Sequence, residues 1–290
     1  MKVDLLFASQ CILGESPLWH AERKCCYWVD IERGILYEYN WLFKTTRKWK
    51  FNKRLGLVRE GKNNQLILAL DASIARFDLE TEQVSPVVDI ESPTSGNRCN
   101  DGACDSLGRL WIGTMHLQQK QGAGSLYMVD EKLKVHKRLS NTSISNGITW
   151  SLDKKRLYFI DSPTQVVQSF LFNEKTGEII FEKNVIEIPV EMGTPDGMAI
   201  DEEGMLWIAH WGGFGIYRWN PLNGKLLDKI ELPVPQITSC AFAGEKLDHL
   251  IITSARENFT QEELEKYPES GNLFIVKMPV KGLLQDKCIL

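Results

Sequence analysis

An apolar run of strand length occurs six times in this chain, at nearly even spacing. The runs are Tyr27-Trp28-Val29-Asp30, Leu66-Ile67-Leu68-Ala69, Leu110-Trp111-Ile112-Gly113, Leu157-Tyr158-Phe159-Ile160, Leu206-Trp207-Ile208-Ala209 and Leu250-Ile251-Ile252-Thr253. Between Trp28, Leu68, Ile112, Phe159, Ile208 and Ile252 the intervals are 40, 44, 47, 49 and 44 residues. A further run usually follows within the unit, as in Ile35-Leu36-Tyr37-Glu38-Tyr39 or Gly215-Ile216-Tyr217-Arg218-Trp219, and then a polar turn such as Asn173-Glu174-Lys175-Thr176-Gly177. Several short strands per period, separated by turn signals, make one four-stranded blade. The expected fold is all-β: a single six-bladed β-propeller domain spanning residues 1–290.

Residues 195–210 illustrate the unit. Asp196-Gly197 reads as a turn, Met198-Ala199-Ile200 as a strand, Glu203-Gly204 as a second turn and Met205-Leu206-Trp207-Ile208-Ala209 as a second strand, because glycine after an acidic residue supplies the positive φ of a tight turn. The long amphipathic segments that a parallel α/β fold needs between strands are missing. The one convincing helix is short, residues 260–266, opened by Thr260 and Glu263 at capping-box spacing and stopped by Pro268. Residues 3–8 belong to no unit and are assigned as the outer strand of the last blade, which would close the ring and remove an exposed edge.

Composition narrows the partners. The chain is 43% hydrophobic and 25% charged with a formal charge of −4, so it advertises no basic face for nucleic acid or an anionic membrane. No run is long enough to span a membrane. The N-terminus carries Asp4 inside its apolar stretch and reads as no signal peptide. Seven Cys, an odd number without a Cys-x-x-Cys, read as buried reduced thiols of a cytoplasmic protein. A monomer or weak homo-oligomer is expected.

The repeat also points to a site. Equivalent positions of the innermost strands converge on the propeller axis. Counting back 12 or 13 residues from each marker reaches Glu15, Asn100, Asn146, Asp196 and Ser239, while the second blade offers only Leu55-Gly56. Polar groups beside a dry channel must be paired. An all-oxygen cluster suits a hard divalent cation, whereas Zn²⁺ is more often given His or Cys. The competing reading is turn chemistry for each Asn-Gly or Asp-Gly pair. Glu15, before Ser16-Pro17, has no such explanation. His116 and His210, two strands into their blades, could face the pocket mouth but read better as satisfied polar residues. The tryptophans read as packing between blades. Neither a phosphate-cradling glycine motif nor a Gly-x-Ser-x-Gly elbow is present.

Gly-Glu-Ser-Pro-Leu-Trp (14–19), Arg-Cys-Asn-Asp-Gly (98–102), Gly-Arg-Leu-Trp-Ile-Gly-Thr-Met (108–115), Ser-Asn-Gly-Ile-Thr-Trp-Ser (145–151) and Pro-Asp-Gly-Met (195–198) together resemble the gluconolactonase/regucalcin (senescence marker protein) family, from about residue 10 to the end. The resemblance implies one divalent cation on the propeller axis and hydrolysis of a small-molecule sugar lactone. Its metal ligands fall on Glu15, Asn146 and Asp196, and its substrate-binding residues on Arg98 and Asn100. Asp196 also matches the acid/base aspartate. In the animal members an acidic residue after the Thr-Met motif reaches the sugar; Gln118 takes that approximate place here, with a plain surface residue as the competing reading. Ca²⁺ is the first choice of cation, with Zn²⁺, Mn²⁺ or Mg²⁺ as alternatives. Asp101 stands either as the base in place of Asp196 or as a turn residue that braces Arg98 from behind. Competing functions are a non-catalytic calcium-binding or regulatory propeller and a related hydrolase of other esters or organophosphates.

Overall fold

Each repeat unit is one four-stranded antiparallel sheet in the computed structural model, which describes residues 1–92 and 96–290. The innermost strands are Gly14–His20, Leu55–Glu60, Asn97–Cys104, Ser145–Trp150, Thr194–Ile200 and Ile237–Ala243. Each touches the innermost strand of the next unit and the last touches the first, so the six sheets close into a six-bladed β-propeller. Val3–Phe7 pairs antiparallel with Leu273–Lys277 and forms the outer edge of the sixth blade. No helix among the described residues is long and apolar enough to cross a membrane.

Burial explains the sequence pattern blade by blade. The second strand of a blade, such as Cys25–Asp30, is buried along its whole length because neighbouring blades cover both faces. Such a strand carries a continuous apolar run rather than an alternation. Outer strands such as Lys225–Glu231 face solvent and are mostly polar. Trp28, Trp111 and Trp207 are almost fully buried at equivalent places between blades. Trp111 and Trp207 donate their indole N–H to Asp105 and Asp201 at 2.9 and 3.0 Å. Gly204 adopts φ +78° in the second turn of its unit, and Asp201 Oδ1 accepts the Glu203 and Met205 amides there. The helix is Gln261–Lys266, with Thr260 and Glu263 forming a reciprocal capping box. All seven cysteines are buried and free.

Two features depart from the linear reading. Asp196-Gly197 is no turn: Thr194–Ile200 is one continuous strand, and the register against Leu206–Trp211 shifts between Pro195 and Met198. The innermost strand of every blade has such an irregularity at this phase, between Glu15/Leu18, Leu55/Leu57, Cys99/Gly102, Asn146/Ile148 and Ile237/Ser239 in the others. Bulges of this kind re-aim side chains. The glycines there serve close approach instead of positive φ. A Cβ on Gly197 would stand 2.2 Å from Ser239 Oγ of the next blade.

The second departure is the C-terminal segment, residues 279–290, a strap across one end of the ring that touches all six blades. Gly282 bonds Leu247 O at 2.9 Å and bridges Asp201. Asp286 approaches Lys154 at 3.9 Å, and the Ile289 amide donates to Gly108 O at 2.9 Å. The Cys288 amide donates to Glu60 O, and Lys287 pairs with Glu60 and Glu22.

Candidate metal and substrate site

The channel is divided into two cavities. The N-terminal halves of the innermost strands line the larger, about 490 Å³, whose walls include Glu15, Arg98, Asn100, Asn146 and Asp196. The C-terminal halves line the smaller, about 80 Å³, which the strap closes with Leu283, Leu284, Gln285 and Asp286.

In the larger cavity a chain of hydrogen bonds joins the third, fourth and fifth blades. Arg98 Nη1 donates to Asn100 Oδ1 at 2.6 Å. Asn100 Nδ2 donates to Asn146 Oδ1 at 3.0 Å and to Ser145 O at 2.9 Å. Asn146 Nδ2 donates to Ser162 Oγ at 2.7 Å, and that hydroxyl donates to Pro195 O at 2.7 Å. The Asn146 amide is thus fixed at both ends, its nitrogen on Ser162 and its oxygen on Asn100. Glu15 Oε2 accepts the backbone N–H of Ser16 at 2.8 Å.

Glu15 and Asp196 are both buried, and neither forms an ion pair among the described residues. Burial, then the nearby Asp101 charge, pushes the Glu15 carboxyl up to about 8. Burial, then Glu15, holds Asp196 well above the usual carboxylate range. Removing two like charges from water disfavours both anions unless a cation joins them. No three His, Cys, Asp or Glu side chains gather around a possible ion among the described residues, so a cation held by Glu15 and Asp196 would need other oxygens, for which the Asn146 amide is a candidate. Two carboxylates and an amide oxygen fit a hard divalent cation with water in the remaining positions.

Other sequence candidates fall elsewhere. Asp101 does not brace Arg98. Its carboxylate accepts the Gly102 amide at 2.7 Å, lies 3.6 Å from Arg59 and lines the strap-side cavity. It lies in the bulge between Cys99 and Gly102, which sends it and Asn100 to different cavities. Ser239 lines that same cavity. Gln118 is exposed and is not on the larger cavity; its neighbour Gln119, at φ +53°, is. His210 is buried against the Tyr217 ring at 3.9 Å, donates from Nδ1 to Met192 O at 3.0 Å, and has its pKa lowered to about 4 by burial. Neither it nor His116 lines the cavity.

Sequence reasoning missed several wall residues: Trp211, Gln236, Glu257 and Ser162. Trp211 ends the second strand of its blade and the other three lie between strands, all outside the phase of the repeat count. Leu13, Met115 and Ile144 add an apolar part to the wall. Burial raises the Glu257 carboxyl, and Glu32 adds to this.

Comparison with known proteins places the chain in one family. A rabbit (Oryctolagus cuniculus) protein named regucalcin is 32% identical over 289 residues, covering 98% of this chain and 97% of its own. The Bacillus subtilis (strain 168) protein YvrE, whose name places it with the sugar lactone lactonases, is 31% identical over 274 residues, covering 94% of each chain. The crystal structure of a calcium-binding protein, regucalcin, from Agrobacterium tumefaciens superposes with a TM-score of 0.94 at 28% identity, covering 99% of this chain and 97% of that one. The SMP-30/Gluconolactonase/LRE-like region matches residues 13–256, and the chain therefore belongs to that family.

Proposed function

We propose that the protein is a divalent-metal-dependent hydrolase that opens sugar lactones to aldonic acids, with Ca²⁺ preferred over Zn²⁺, Mn²⁺ or Mg²⁺. The observation that carries this reading is the meeting of Glu15, Asn146 and Asp196 with Arg98 and Asn100 on one cavity of about 490 Å³. The names of the sugar lactone lactonase and gluconolactonase relatives support the same chemistry.

Glu15, Asn146 and Asp196 would hold the cation, which polarises an ester carbonyl and stabilises the negative charge that develops as water attacks. Arg98, anchored by Asn100 and by Cys99 O at 3.0 Å, presents a buried guanidinium to the carbonyl side or the hydroxyls of the ring. Asn100 shares that task. Water adds to the carbonyl carbon, the ring C–O bond breaks, and the ring oxygen leaves as a hydroxyl. Asp196 accepts the proton from the attacking water and returns it to the departing ring oxygen. Burial raises its basicity, and a bound cation lowers it. Asp101 lines the other cavity, which favours Asp196 over it as the base.

Proton release from D-glucono-1,5-lactone and a panel of aldonolactones, measured against buffer alone with and without chelator, tests the reading. Turnover that chelator removes and Ca²⁺ restores is expected. Hydrolysis indifferent to chelator would exclude the mechanism. Absence of turnover by metal-loaded protein on every lactone would favour a non-catalytic propeller that binds calcium, the ion named for the Agrobacterium protein.

A further inference from the structure

The second blade is the one whose innermost strand presents no side-chain oxygen at the site phase, where Leu55 and Gly56 stand. Further along, the same strand carries Arg59, whose residue is only 6% exposed. A buried guanidinium needs a reason, because desolvating it is costly unless its donors are satisfied. Arg59 Nη1 donates to Ser16 Oγ at 2.8 Å and to Val58 O at 2.7 Å. Nη2 donates to Gly102 O and lies 3.6 Å from Asp101 Oδ1.

Apart from Val58, on the same strand as Arg59, these partners lie on the two neighbours of the second blade, at their bulges. On the first blade, Ser16 has φ +52°, a conformation that L-residues adopt only when surroundings impose it. Its hydroxyl also accepts the Val58 amide at 2.9 Å, and its own amide is the donor to Glu15 Oε2. On the third blade, Asp101 and Gly102 directly follow Asn100, which fixes the Asn146 amide. One guanidinium thus fastens both bulges that aim Glu15 and Asn100 into the other cavity.

We propose that Arg59 is a positioning residue of the site: from the strap-side cavity it clamps the first- and third-blade bulges so that Glu15 and Asn146 hold their geometry toward a cation. The inference rests on the metal-site reading above. The role requires the fork as well as the charge. A planar guanidinium can serve Ser16 Oγ, Val58 O and Gly102 O at once, and a lysine ammonium on a flexible stem cannot.

The test is Ca²⁺ affinity, by titration calorimetry and by terbium luminescence, of wild-type protein, Arg59→Lys, the charge-balanced pair Arg59→Met with Asp101→Asn, and Ser16→Ala. Arg59→Lys and the double variant should each bind about 10- to 100-fold more weakly, the range for residues that orient metal ligands. Ser16→Ala should bind several-fold more weakly. Lactone kcat should recover at saturating Ca²⁺ in all three, which a merely unfolded fraction would not reproduce. Wild-type affinity in Arg59→Lys and in the double variant would overturn the positioning role alone. If the Arg59 variants do not fold, Ser16→Ala decides: unchanged affinity there overturns the role. A wild-type protein that binds no cation overturns the site reading, and this inference with it.

Discussion

Asn100 Nδ2 sits 3.0 Å from Asn146 Oδ1 and donates to it across the boundary between the third and fourth blades. The bond gives Asn100 two tasks. One face of its amide receives Arg98, and the other fixes which way the Asn146 amide is turned. A residue read from sequence as a substrate contact is therefore also an orienting partner for a proposed metal ligand.

Asn100→Ala should lower cation affinity about 10-fold or more, in addition to raising KM for the lactone. Titration of Ca²⁺ into the chelator-treated variant measures the first effect separately. An unchanged Kd would leave Asn100 a substrate contact only.

The Glu15 carboxyl has an ordinary value of 4.5 and is pushed up to about 8 in the cation-free fold by burial and then by Asp101. The folded state then binds more protons than the unfolded chain between those values, so stability is greatest below about 4.5 and falls as pH rises toward about 8. Chelated protein should lose Tm across that window, and Ca²⁺ should raise Tm most at its alkaline end. Glu15→Gln should flatten the dependence. Calorimetric scans at several pH values check both statements.

Gly197→Ala should destabilise the protein by about 1–3 kcal/mol, the usual cost of overpacking. The new Cβ would stand 2.2 Å from Ser239 Oγ and 2.6 Å from Ser239 Cβ. Adding Ser239→Gly removes both atoms and should recover most of the loss. If Gly197 served a positive-φ turn instead, the second substitution would bring no recovery in denaturant unfolding.

Gln119→Ala should change KM among aldonolactones, since Gln119 lines the cavity, whereas Gln118→Ala should leave kinetics as they are. Steady-state kinetics of the two single variants on the same lactone panel separate them. Equal effects would mean that the loop rearranges around substrate.

Much of this molecule can be read along the chain. Buried second strands carry a continuous apolar run because blades cover both faces, so they announce themselves at even intervals. The constant offset from those strands to Glu15, Asn100, Asn146 and Asp196 follows from the same regularity, since equivalent strand positions meet at one depth of the channel. The glycines misled because positive φ and close approach demand the same residue. Gly204 is the first kind, and Gly197 is the second. The atom that forbids a Cβ on Gly197 belongs to a strand some forty residues away. The strap left no trace in the pattern, as an irregular segment has no period.

By itself the sequence determined the number of blades, their order and the depth at which polar side chains would meet, because these depend on local hydrophobic periodicity repeated six times. Tertiary structure alone decided to which side of the channel each polar group turns: Asn100 toward Asn146, its neighbour Asp101 toward Arg59, and Ser239 away from the larger cavity. Those choices rest on bulge geometry and on contacts between separate blades. They form only when the ring closes, so no stretch of chain contains both partners.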